Sequence, residues 1–113
     1  MNAIDHQIQM FNEKNIEAFL SNYTDDYKAY MLDSNQLITD GKEQLRSIMN
    51  DAFEKQGGVI KVLESMMQGD VVVQKEETRG HVAGKIITSI TIYQLREGLI
   101  SKMWFGGRTI REE

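Results

Sequence analysis

Apolar residues recur at two different periods along this chain, and the change falls at Gly57-Gly58. Ile4, Ile8 and Phe11 stand at i, i+4 and i+7, the single stripe of a short amphipathic helix. Lys14-Asn15 interrupts the stripe. Asn15 has the short polar side chain of a helix cap, and Ile16, Phe19, Leu20 and Tyr23 form a second apolar face behind it. Thr24-Asp25-Asp26 reads as a turn whose aspartates accept from nearby backbone, and Tyr27 to Leu32 as a strand carrying aromatics. Asp33-Ser34-Asn35 predicts a second turn. Asp40 and Glu43 have capping-box spacing ahead of Leu45, Ile48, Met49, Ala52 and Phe53, the clearest helix in the chain. The glycine pair ends it.

Past the glycines the period shortens to that of strands. Val59 to Gln68, Val71 to Arg79, Lys85 to Leu95 and Leu99 to Phe105 are the predicted strands. Gly69-Asp70 and Arg96-Glu97-Gly98 are links short enough for hairpins. Helices first and strands later predict an α+β fold with a curved, mostly antiparallel sheet, built as one domain over residues 1–113. In KIITSITIYQL both faces are apolar: Ile87, Ser89, Thr91, Tyr93 and Leu95 on one, Ile86, Thr88, Ile90, Ile92 and Gln94 on the other. A strand with one wet face alternates more cleanly, so both sides are expected to be covered. Helices cover one side. A second copy of the chain covers the other, meeting Ile86, Ile90, Ile92 and Trp104, with the C-terminal tail as the alternative cover.

Composition narrows the classes of partner. Hydrophobic residues make up 41% and charged residues 27%, which argues against disorder. The net charge is -4 with no basic stripe, so nucleic acid is a poor partner. No cysteine is present, which excludes disulfides and thiolate chemistry. His6 and His81 lie far apart with no acidic cluster beside either, so no metal and no cofactor is expected. The N-terminal residues lack the basic start and apolar run of a signal peptide, and no stretch is long enough to span a membrane. The expectation is a cytoplasmic protein.

The ordered set Tyr23-Thr24-Asp25-Asp26, Asp40-Gly41-Lys42-Glu43, Gly69-Asp70-Val71-Val72-Val73 and Ile92 to Ile100 resembles the nuclear transport factor 2-like superfamily, SnoaL-like and ketosteroid-isomerase-like small proteins in particular. That resemblance implies a cone: a curved sheet wrapped around N-terminal helices with a pocket inside, often dimeric through the sheet. It also implies where isomerase chemistry would sit. The positions that resemble the isomerase's oxyanion-hole tyrosine, proton-shuttling aspartate and protonated aspartic acid are Gln7, Met31 and Thr91. None of these supplies a base, so ketosteroid isomerisation is not expected.

Function then turns on what else faces the pocket. Strand parity places Asp33 on the face of Tyr27, Ala29 and Met31, where a carboxylate at an apolar rim could act as general base; the same residue could equally cap its turn. Thr91, Tyr93, Met103 and Phe105 are expected to face inward beside Gln7 and Met31, and the resemblance to SnoaL-like cyclases implies that His81, in its glycine-flanked loop, helps shape the pocket. Met49, Met66 and Met67 are further candidates for an adaptable lining. The reading is a protein that binds a small, mostly apolar molecule. The alternatives are a cofactor-independent isomerase, lyase or cyclase with Asp33 as base, and a dimeric association domain whose pocket is vestigial.

Overall fold

A computed structural model describes residues 2–55 and 57–113. The first helix, α1 (Ala3–Asn12), is capped by Asn2, which accepts from the Asp5 amide at 2.9 Å. Asn15 caps α2 (Ile16–Leu20) in the same way, accepting from Ala18 at 3.1 Å. Next come β1 (Tyr23–Met31), β2 (Leu37–Asp40), α3 (Lys42–Lys55), β3 (Val59–Gln68), β4 (Val71–Arg79), β5 (Lys85–Arg96) and β6 (Leu99–Glu112). The six strands form one open sheet in the order β2-β1-β6-β5-β4-β3. Among the described residues, only β1 and β6 run parallel and every other pairing is antiparallel. Register shifts at Val62/Glu64, Thr88/Ile90 and Gln94/Leu95 bend the long strands, as an extra residue on one side of a pair must. The sheet curls around the helices, giving the α+β cone.

The core sits between the concave face and the helices. Ile4, Phe19, Leu20, Tyr23, Tyr27 and Ile100 are buried there. The hairpin from β5 to β6 turns on Glu97 and Gly98, both with positive φ (53° and 81°), the left-handed pair that a tight two-residue link requires. Among the described residues, no helix is long and apolar enough to cross a membrane.

Four elements differ from the sequence expectation. Thr24-Asp25-Asp26 is not a turn: β1 starts at Tyr23, and the irregular stretch between Tyr23 and Lys28 absorbs the polar residues within the strand. Asp26 accepts a two-pronged bond from Arg96 (2.6 and 3.0 Å), and chiefly that guanidinium, with the Thr24 hydroxyl second, holds its carboxyl down to about 2. The short β2 carries too few apolar residues to stand out, and it forms by pairing with β1. The expected box of Asp40 and Glu43 does not form at α3: Asp40 belongs to β2, its carboxylate is taken by Lys28, and its amide donates to Gln44 Oε1 at 2.5 Å instead. Finally, the residues after Phe105 are strand, not tail. β6 runs on to Glu112 and covers the first half of β5, pairing Thr88 with Thr109 and Ile86 with Arg111.

Candidate functional site

A cavity of about 470 Å³ lies between the concave sheet and the helices, and every element lends it at least one side chain. Its walls are mainly aromatic and aliphatic. Phe19, Tyr23 and Tyr27 form a run of ring contacts, with centroids 5.1 Å apart for the first pair and 4.8 Å for the second. A neighbouring recess of about 430 Å³ shares Phe11, Met49, Ile60, Ser89 and Phe105 with it, so the two adjoin.

One charged residue lines the main cavity among the described residues: Glu76 of β4, only 6% exposed. It sits at the end of a chain of hydrogen bonds that crosses the fold. Tyr23 donates to Gln7 Oε1 (2.9 Å), Gln7 Nε2 donates to Tyr93 Oη (3.3 Å), and Tyr93 donates to Glu76 Oε2 (2.6 Å). Thr91 donates to the other carboxylate oxygen at 3.2 Å. Burial raises the Glu76 pKa, and the bonds from Tyr93 and Thr91 oppose that without overcoming it. Burial also drives the Tyr93 hydroxyl well above its usual range, with the neighbouring Glu76 charge adding to the effect. Among the described residues no cation offsets Glu76, the condition under which a buried carboxylate is most expensive.

The sequence-predicted residues divide by place. Gln7, Thr91, Tyr93, Met103 and Phe105 line the main cavity, and Tyr27 donates to the Met103 sulfur at 3.6 Å. Met31 and His81 line the adjoining recess instead, alongside Arg108. Asp33 lies outside both. β1 ends at Met31, so the parity argument stops two residues short of Asp33, which is exposed and accepts from the Ser34 amide at 2.8 Å. The turn-capping geometry is what the structure displays. Of the methionines, Met49 borders the cavity, whereas Met66 (68% exposed) and Met67 lie open on β3. Among the described residues, no cluster of acidic and histidine side chains could hold a metal ion.

Glu76 escaped the sequence reading for a physical reason. Val71-Val72-Val73 is apolar at three successive positions, and Gln74 to Thr78 is polar at five. Such a strand has no readable parity, and only pairing shows that Val72, Gln74 and Glu76 point inward.

Comparison with known proteins agrees with this fold. No curated protein matches the sequence. Among solved structures, the chain is similar to an uncharacterised cystatin-fold protein from Novosphingobium aromaticivorans (18% identity, TM-score 0.82, covering 92% of this chain and 94% of that one). It is similar to a computationally designed 17-OHP binder (14%, TM-score 0.80, 98% and 96%). It is also similar to an LEH-like epoxide hydrolase from M. tuberculosis (11%, TM-score 0.75, 92% and 80%). At these identities the likeness is one of fold. The SnoaL-like domain family matches residues 4–103, nearly the whole chain, and the protein belongs to that family.

Proposed function

We propose that this protein binds one small, mostly apolar molecule in the cavity above Glu76. The observation that carries this reading is the cavity: about 470 Å³, walled by aromatic and aliphatic side chains, with a few polar groups converging at one end. That is the size and character of a small-ligand site. A designed protein of the same fold is named as a binder of 17-OHP, which supports the fold's capacity for such ligands. Ligand-detected NMR against a library of apolar fragments tests it. Binding is expected for wild type and is expected to vanish in Ser89→Phe, which fills the space where the two recesses meet. A library without a single hit, or hits indifferent to Ser89→Phe in a folded variant, would sink the reading.

A second reading has its own observation. If the protein is a cofactor-independent isomerase, lyase or cyclase, the carboxylate that faces the cavity is Glu76 and not Asp33. Its raised pKa and bond to Tyr93 suit a general base. For any substrate that turns over, Glu76→Gln should abolish kcat while Asp33→Asn leaves it unchanged. The reverse pattern would return the role to Asp33.

Pairing of two copies through the outer face completes the proposal. Leu37, Tyr30, Trp104, Ile92, Val73 and Met66 are successive register partners, an apolar row that crosses all six strands. Tyr30 stacks on Trp104 at 5.6 Å within it. Ile86 drops out of the expected contact, being 2% exposed and already covered within its own chain. Ile90, Ile92 and Trp104 remain available.

A further inference from the structure

The main cavity carries one formal charge, a negative one, while Arg108 lines the adjoining recess and Lys14 sits over the Phe11 ring at 4.5 Å without lining the main cavity. Glu76 is the only formally charged side chain among the main cavity's described lining residues, and six of its walls are the rings of Phe11, Phe19, Tyr23, Tyr27, Tyr93 and Phe105. Aromatic faces carry negative potential and attract cations, more strongly where water is excluded. The hydrogen bonds that reach Glu76 have one sense: Tyr23 to Gln7, Gln7 to Tyr93, Tyr93 to Glu76, and Thr91 to Glu76. Each donor points toward the carboxylate, so the chain polarises in favour of negative charge at its end. The carboxylate offers about four acceptor sites, of which Tyr93 and Thr91 occupy two. No cation of the chain's own takes the rest, among the described residues.

We infer that the ligand is an organic cation, an apolar body carrying an amine whose ammonium group pairs with Glu76 inside the aromatic wall. The inference rests on the binding reading above and names its ligand class. A buried, unpaired carboxylate is a standing expense for the empty protein, and an incoming ammonium offsets it where a neutral group of equal size does not. Selectivity for amines over the matching alcohols follows from that difference. Anions are rejected by the same charge.

The test is calorimetric titration at neutral pH with phenylbutylammonium and with phenylbutanol of the same chain length, which share an apolar body and differ in charge. Wild type is expected to bind the ammonium at least about tenfold more tightly than the alcohol. Glu76→Gln is expected to erase that preference, bringing the two affinities within about threefold of each other. Equal affinity for the two compounds in wild type, or preference for the alcohol, would overturn the cation inference and leave the binding proposal standing. Binding of neither would overturn both. If Glu76→Gln fails to fold, the wild-type pair decides alone, since the charge preference is read without any substitution.

Discussion

Glu76 and Asp33 are both carboxylates, yet their surroundings give them opposite weight. Glu76 is buried and bonded to two hydroxyls without a cation, and its pKa rises because burial penalises its charge. A carboxyl with a folded-state pKa above the ordinary 4.5 favours folding when protonated; that advantage is complete below the unfolded value and is lost as pH rises through the folded one. The groups facing it are Tyr93 and Thr91 from β5, with Gln7 and Tyr23 behind them. Glu76→Gln, which keeps the shape and removes the charge, should therefore melt above wild type at neutral pH. The gain should disappear in acid, where the wild-type carboxyl is already neutral. A melting series by circular dichroism checks this, and a variant less stable at neutral pH would show that the hydroxyls hold the charged form. Asp33 is exposed and bonded only to its own turn. Asp33→Asn keeps that acceptor, so its effect on unfolding free energy should stay within about 0.5 kcal/mol, with ligand binding unaltered.

The helices lie over the concave sheet, and α1 and α3 are held by different kinds of contact. Gln7 ties α1 to β1 and β5 by accepting from Tyr23 and donating to Tyr93. Gln7→Leu preserves bulk and strands the buried Tyr23 hydroxyl, a loss of about 1–3 kcal/mol that urea unfolding would measure. Leu45 is the buried residue of α3 and borders the cavity. Leu45→Ala should cost about 2–3 kcal/mol, near the low end for a core leucine, because part of the space it vacates already opens on a void. An unfolding change below that range would mean that α3 is held mainly by its polar contacts. These elements were largely legible in the chain. Asparagine caps, apolar stripes and hairpin links are local chemistry, and α1, β3, β4 and β5 lie close to where they were expected, while α2 stops at Leu20, short of Tyr23. Segments whose state depends on a distant partner were not: β2 needs β1, the start of β1 needs β6, and the end of β6 needs β5.

Across the whole molecule, the apolar row from Leu37 to Met66 leaves a hydrophobic band on the face opposite the cavity. Wild type should sediment at twice the monomer mass at micromolar concentration, and Ile92→Lys, which sets a charge in the middle of the row, at the monomer mass. Two monomers in that experiment would end the dimer proposal. The periodicity and caps of this sequence were enough to determine its helices, most of its strands and the α+β class, because those features are set by neighbours three or four residues away. The inward direction of Thr91 and Tyr93 was expected too, not from alternation, since both faces of β5 are apolar, but because Thr91 resembles the isomerase's aspartic acid position and Tyr93 shares its face. Glu76 was not, because a strand apolar at three successive positions and then polar at five has no face until another strand assigns it one. The tertiary structure alone turned Glu76 inward and left Asp33 in solvent, and it did so through pairing and curvature, which bring together residues far apart in the chain.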